Sequence, residues 1–230
     1  MASFRALRVQ QSPGGRFARF ESVTLDELTA GEVVVRVAYS CLNYKDALAV
    51  TGKGSIARGY PRTAGIDLAG MVEVSADPAY RPGDLVLATG AGLGESLDGG
   101  LAEQARLPAA ALVPLPKGLS LLEAMALGTA GFTAALALRR LLENHQAPGL
   151  GPVAVTGATG GVGGIALGLL KRAGFSTAAI TGKPDSASYL RELGAKRVAL
   201  HGDAAALAEA QRALAGIECV WVSKDRKSVV

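Results

Sequence analysis

The sequence predicts an α/β protein in two parts: a small β-barrel domain over residues 1–120, then the first half of a doubly wound parallel sheet over 121–224. Three observations predict it. The first half is a series of short β-branched runs punctuated by Gly, Pro and Asp. From Val153 the pattern changes to strand, helix, strand, helix, which is the signature of a parallel sheet with helical crossovers. At the head of that pattern, Val153-Ala154-Val155-Thr156 runs into the glycine-dense Gly157-Ala158-Thr159-Gly160-Gly161-Val162-Gly163-Gly164 and then into a helical stretch, Ile165 to Lys171.

In the first part, Phe4 to Val9 alternates and is followed by the turn residues Ser12-Pro13-Gly14-Gly15. Glu32 to Ser40 is the strongest strand, a β-branched run after Ala30-Gly31. Tyr44 to Val50 reads as a short helix ended by Thr51-Gly52-Lys53-Gly54. Leu68 to Val74 is a strand with Gly70 inside it, expected at a bulge. Tyr80 to Asp84 turns into the strand Leu85 to Ala88. Gly90 to Gly100 is a long glycine-rich loop, after which Leu101 to Ala105 resumes a strand.

The second part opens at Ser120, an N-cap with Glu123 in the capping-box position. Phe132 to Glu143 is a further helix and Gln146 to Pro152 a linker. Thr177 to Thr181 is the second strand of the alternating pattern and Ser188 to Gly194 the second helix. Arg197 to Leu200 is the third strand, Ala204 to Ala215 the third helix, and Ile217 to Val222 the start of a fourth strand. A dinucleotide fold has two such halves, and the chain is expected to be truncated after the first. Residues 225–230 are expected to be a non-native tail. Their codons can be written as the start of a common sequencing adapter, followed in that adapter by a stop.

Composition narrows the function classes. The net charge of +4 is spread over isolated basic residues, with no basic run interleaved with aromatics, so no nucleic-acid stripe is read. Two cysteines, Cys41 and Cys219, make neither a disulfide scaffold nor a cysteine zinc site. A cytoplasmic setting fits. No signal peptide is visible, and the apolar stretch from Leu119 to Leu142 carries Glu123, Arg139 and Arg140, against a membrane span.

The glycine turn carries the first piece of chemistry. A strand, a tight glycine turn and a helix start together hold a pyrophosphate on free backbone N–H groups. The spacing is Ala158-x-Gly160-x-x-Gly163, with alanine in the first glycine position. The adenosine ribose is then read about 20 residues on. An acid there selects NAD, but Lys183 stands at that place, within Thr181-Gly182-Lys183. A cation favours a 2′-phosphate and hence NADPH, although Asp185 two positions later works against it and Lys183 is equally compatible with a solvated loop. The short-chain dehydrogenase pattern also fits the glycines. It fails on position, because here some 150 residues precede the turn, and Tyr189 lacks a lysine four positions on.

Several stretches together resemble the zinc-independent quinone oxidoreductase branch of the medium-chain dehydrogenase/reductase superfamily, and within it the acryloyl-CoA reductase subfamily. They are Leu42 to Gly54, Gly65 to Gly70, Gly99 to Arg106, Gly128 to Ala134, and the Thr156 to Gly163 loop. The resemblance implies a GroES-like barrel followed by a Rossmann domain, and a homodimer for the full-length protein. It implies cofactor contacts from Tyr44, Thr159, Gly160, Gly161, Val162, Thr181, Gly182 and Lys183. Zinc members carry a Cys near Tyr44 and a His-Glu pair after a glycine. This chain has Tyr44 and Gly65-Ile66-Asp67 there, so no metal is expected. Cys41 reads as a small core residue, Asp67 as a turn stabiliser, and His145 and His201 as surface residues.

Without a metal the expected reaction is conjugate reduction, in which charge grows on a carbonyl oxygen that needs hydrogen-bond donors. Asn43, Tyr44 and Thr133 are the candidates facing the nicotinamide. Tyr44 either donates to the enolate or is a packing aromatic, and solvent is an equally good proton source. Lys45, Lys53 and Arg58 either meet an acyl-CoA phosphate or are solvated. Three functions stay open: an NADPH-dependent reductase of acryloyl-CoA, a quinone or enone reductase, and an inactive fragment that binds NADPH weakly.

Overall fold

The structure, a computed structural model, describes residues 2–201 and 220–222, and the chain divides into two compact units, Met1–Thr129 and Ala130–Val230. The expected helix Ala204 to Ala215, Cys219 and the tail 225–230 lie outside the described residues.

The first unit holds β1 (Phe4–Ser12), β2 (Gly15–Val23), β3 (Val33–Tyr39), α1 (Tyr44–Val50), β4 (Arg62–Thr63), β5 (Asp67–Ser75), β6 (Leu85–Thr89), β7 (Gln104–Leu107) and β8 (Val113–Pro114). They form a three-stranded sheet in the order β2-β1-β4 and a five-stranded sheet in the order β7-β3-β5-β6-β8, antiparallel throughout. The core of the larger sheet is aliphatic: Val33, Val35, Leu68, Val72, Val86 and Leu107 pack together. Burial of such side chains supplies most of the driving force, about 25 cal/mol per Å² of apolar surface.

Three details depart from the sequence reading. Strand β2 pairs with β1 along its whole length, from Phe4↔Val23 to Ser12↔Gly15, although no strand is read there. It is an edge strand, largely exposed on both faces, and its apolar residues Phe17 and Phe20 are three apart, so no period of two is visible. The guanidiniums of Arg19 and Arg5 lie over these rings, at 5.9 and 5.8 Å. At Gly70 the register shift falls on the partner strand, between Val37 and Tyr39. Gly70 itself is required because a Cβ would lie 2.1 Å from the Arg36 carbonyl oxygen. Strand β7 begins at Gln104, because Leu101 to Glu103 runs instead against β1, with Leu7 N–H donating to Leu101 O at 2.9 Å and Glu103 N–H to Arg5 O at 3.0 Å.

Helix α2 (Leu121–Glu143) crosses from one unit into the other. Ser120 caps it with the expected reciprocal pair: Ser120 N–H donates to Glu123 Oε2 at 2.8 Å and Glu123 N–H to Ser120 Oγ at 3.2 Å. Gly128, at φ 48° and ψ −153°, breaks it into two segments. Among the described residues α2 is long and apolar enough to cross a membrane by length and composition, but neither segment approaches the roughly 20 residues that a span needs.

The second unit holds β9 (Val153–Thr156), α3 (Gly161–Arg172), β10 (Thr177–Thr181), α4 (Ala187–Glu192), β11 (Arg197–Leu200) and β12 (Val220–Val222). The sheet order is β11-β10-β9-β12 and every pair is parallel. This is the doubly wound arrangement, with the order reversing between β9 and β12. Ala134 and Leu141 of α2, Val155 of β9, Leu167 and Leu170 of α3, and Leu190 of α4 close one core. Helix α3 starts four residues before the expected Ile165, because the glycines themselves form its first turn.

Candidate functional site

Open α/β sheets bind ligands outside the carboxyl ends of their strands where the order reverses. The glycine turn lies at the carboxyl end of β9, beside that point. Ala158 is fully buried and its N–H donates to Ile180 O of β10 at 3.2 Å, which ties the turn to the sheet. Gly160 is the N-cap of α3, and the first rung of the helix is Gly164 N–H to Gly160 O at 2.8 Å. The N–H groups of Gly161, Val162 and Gly163 therefore precede the ladder and carry the positive end of the helix dipole. Gly163 shows why this position takes no side chain: a Cβ would lie 2.5 Å from Gly157 O and 2.7 Å from Ala158 Cα. The helix thus packs directly onto the turn.

Thr159 Oγ1 lies 3.4 Å from Thr181 Oγ1, and Lys183 N–H donates to Thr181 Oγ1 at 3.1 Å. The glycine turn and the end of β10 are thereby brought together, with Gly182 and Lys183 exposed beside them. Asp185 is also exposed, in the short 3-10 turn after Lys183. A depression of about 510 Å³ begins at Thr159, Gly160 and Gly161 and continues along α3 past Gly164 toward Tyr189; neither Thr181 nor Lys183 lines it.

The first unit builds a different kind of site. Asn43 is the N-cap of α1, and its N–H donates to Asp46 Oδ2 at 2.7 Å, the backbone half of a capping box. Asp46 also accepts Ile66 N–H at 3.0 Å and is buried. That burial, opposed by these hydrogen bonds, holds its carboxyl above the usual 3.8. The Asn43 side-chain amide donates to Asp67 Oδ2 at 2.8 Å and approaches Cys41 Sγ at 3.4 Å. Tyr44 follows as the first residue of α1 and is 59% exposed.

Two readings are corrected here. Asp67 is the fully buried first residue of β5 and accepts hydrogen bonds from distant segments, well beyond a local turn. Cys41 is half-buried and donates to Asp67 Oδ2 at 2.7 Å, so it is part of a polar cluster and not of the aliphatic core. Burial first, and then the hydrogen bond to Asp67 and its charge, push the Cys41 thiol up to about 12. Lys45 is engaged with Glu95.

Thr133 lies exposed on the second segment of α2, in the second unit, whereas Asn43 and Tyr44 belong to the first. Sequence reasoning gave Asp46 and Thr129 no role and gave Asp67 the wrong one. A capping-box spacing from Asn43 to Asp46 was there to be found. So was a lone acid within the apolar run Ile66-Asp67-Leu68-Ala69, which marks a buried charge that needs partners.

Comparison with known proteins adds the lineage. Residues 29–117 match the alcohol dehydrogenase GroES-like domain. The chain is 47% identical over 197 residues to the acrylyl-CoA reductase AcuI of Ruegeria pomeroyi, covering 85% of this chain and 60% of that protein. Among solved structures, the yhdH oxidoreductase of Salmonella enterica in complex with NADP is 47% identical with a TM-score of 0.85, covering 86% of this chain and 61% of that one. The yhfP protein of Bacillus subtilis with NAD bound is 47% identical with a TM-score of 0.85, covering 88% and 62%. The chain thus spans about three fifths of the length of these relatives. With a GroES-like first unit, a parallel dinucleotide-type sheet in the second and relatives of this kind, the chain belongs to the medium-chain dehydrogenase/reductase superfamily, in the quinone oxidoreductase-type branch that includes the acrylyl-CoA reductases.

Proposed function

We propose that the protein is an NADPH-dependent reductase of the C=C bond of α,β-unsaturated acyl thioesters, converting acryloyl-CoA to propanoyl-CoA. The observation that carries this reading is the glycine corner at the switch point of a β11-β10-β9-β12 parallel sheet, with Lys183 next to Thr181 where the ribose is read. The similarity to an acrylyl-CoA reductase and to an NADP complex supports it. The close approach at Gly163 fits a dinucleotide. Gly161, Val162 and Gly163 would offer backbone N–H groups to the pyrophosphate, with Ala158, Thr159 and Gly160 shaping the turn that brings it close, and Thr181, Gly182 and Lys183 would meet the 2′-phosphate.

When bound, NADPH supplies the hydride for the substrate's β-carbon. Negative charge then grows on the thioester oxygen, and a donor placed there lowers the barrier. Tyr44 is the donor assigned to this task, with Thr133 as the candidate from the second unit. Asn43, its amide engaged by Asp67 and Cys41, holds the start of α1 beneath Tyr44. The proton that completes the α-carbon comes from Tyr44 or from solvent. No metal has a part in this reading, since the Asp67 oxygens are already engaged by protein donors. A cytoplasmic homodimer without membrane or nucleic-acid partners completes it.

Steady-state NADPH consumption with acryloyl-CoA and with a soluble quinone tests the proposal. Higher kcat/KM for the thioester is expected, and equal or higher efficiency with the quinone overturns the substrate assignment. A second reading follows from the three-fifths span, namely a fragment with weak cofactor binding and little turnover. A thermal-shift titration separates the two, because no shift at millimolar NADPH leaves only the fragment.

A further inference from the structure

Asp67 has no part in the chemistry above, yet it is fully buried and its two oxygens gather four hydrogen bonds. Oδ2 accepts Cys41 Sγ–H at 2.7 Å, Asn43 Nδ2–H at 2.8 Å and Thr129 N–H at 3.0 Å, and Oδ1 accepts Thr129 Oγ1–H at 2.5 Å. Its backbone carbonyl accepts Ser40 Oγ–H at 2.7 Å. Among the described residues no lysine or arginine forms an ion pair with it. A buried carboxylate without a cation is costly unless donors fill its lone pairs, of which it has about four. Four donors meet that requirement.

These donors come from separate pieces of chain. Cys41 and Asn43 lie between β3 and α1, and Thr129 follows the Gly128 break in α2. The space is closed as well as polar: a Cβ on Gly128 would lie 2.5 Å from Cys41 Sγ and 2.9 Å from Asp67 Oδ2. Stabilising a turn would need one of these bonds. Together they fix the rotamer of the Asn43 amide at the N-cap of the helix whose first residue is Tyr44.

We propose that Asp67 is a positioning residue of the reductive site, whose carboxylate fixes Asn43 and through it the first turn of α1 that presents Tyr44. It acts by the geometry of its acceptors. The proposal rests on the reductase reading for the task of Tyr44 alone, since the placement of Asn43 can be measured without turnover.

The test uses the full chain in a Cys219→Ser background, so that Cys41 is the only thiol. The parent, Asp67→Asn and Asp67→Ala are compared by the NMR signals of the Asn43 side-chain NH₂ and by the rate of Cys41 alkylation with iodoacetamide. Because the thiol is held near 12, the parent reacts slowly at about pH 8. In Asp67→Ala the Asn43 signals are expected to move, and alkylation to speed up by about tenfold or more. Asp67→Asn can keep an oxygen at the Oδ2 place and donate its NH₂ to Thr129 Oγ1, so the Asn43 signals should stay near those of the parent.

Unchanged Asn43 signals and thiol rate in a folded Asp67→Ala chain overturn the proposal, as do Asn43 signals in Asp67→Asn that leave their parent positions. The second comparison decides alone if the alanine variant does not fold. In turnover, Asp67→Ala should lower kcat by about tenfold with the KM for NADPH unchanged, and Asp67→Asn should restore kcat to within about threefold of the parent. A parent chain without turnover counts against the reductase reading only, and the NMR and thiol results still decide the role of Asp67.

Discussion

The glycine turn after β9 and the cluster around Asp67 both place polar groups next to a proposed reaction, by opposite means. In the turn the polar groups are backbone N–H groups, and the residues are chosen for what they lack: Gly163 is there because a Cβ would strike Gly157 O. In the cluster the polar groups are side chains, and each residue is there for what it carries. A backbone site is contiguous, so its rule is written as a spacing. A side-chain site converges from residues 24, 26 and 62 positions away from Asp67, so no spacing records it. One residue, Gly128, belongs to both kinds, being a glycine demanded by a side-chain cluster.

That shared residue gives the largest expected effect. Gly128→Ala would put a methyl group against Cys41 and Asp67 and hold an alanine at φ 48°, adding strain to overpacking. A loss of about 2–6 kcal/mol is expected from the two together, read as a lowered midpoint in urea unfolding. Little change would show that the cluster is loose enough to yield, and would weaken the contrast with the turn. Gly163→Ala comes next. Its methyl group meets backbone, which cannot rotate away, so a loss of about 1–3 kcal/mol is expected together with loss of the NADPH-induced thermal shift. A variant that keeps the full shift would remove the glycine turn from the cofactor site.

The same contrast explains what could be read in advance. The second unit was legible almost strand by strand, with β10 and β11 falling at Thr177–Thr181 and Arg197–Leu200 as expected: β10 is buried throughout, and β11, at the edge of the described sheet and partly exposed, keeps the short apolar run Val198 to Leu200. The β-rich first unit was legible too, apart from the two-residue strands β4 and β8 and the edge strand β2, whose phenylalanines lie under arginines instead of in a core. Around the candidate site, Asn43 and Tyr44 were found through resemblance, whereas Asp67 was taken for a turn residue. What decides its role is three-dimensional convergence: Thr129 reaches it only because Gly128 breaks the helix.

Lys183 sharpens the comparison from the other side, as the one charged side chain assigned to the backbone-built site. It is exposed, so its attraction for a 2′-phosphate is screened by water and salt. Lys183→Ala should weaken NADPH binding by about tenfold or less and leave NADH binding unchanged, as measured by titration of each cofactor. Equal weakening for both would move the 2′-phosphate elsewhere, and the NAD bound to the similar Bacillus subtilis protein makes the NADH arm necessary.

The smallest effect expected is a change of slope, and it lies beside the carboxylate cluster at Asp46. Burial raises its carboxyl above the usual 3.8, against the lowering hydrogen bonds from the Asn43 and Ile66 amides, and the nearby Asp67 charge adds to the rise. As pH climbs from that usual value through the raised one, the unfolded chain has released a proton that the folded chain still holds. Folding stability contributed by this group is therefore complete below the usual value and is lost as pH rises through the raised one. In Asp46→Asn this part of the pH dependence should vanish. The variant keeps one oxygen to accept from Asn43 or Ile66, so it should remain folded and be compared with the parent by urea unfolding at a series of acid pH values. Parallel pH profiles for the two chains would mean that Asp46 ionises in the folded protein as it does in the unfolded one. The polar side of the α1 N-cap would then be wetter than its burial implies, and the side-chain site would be less rigid than the backbone one.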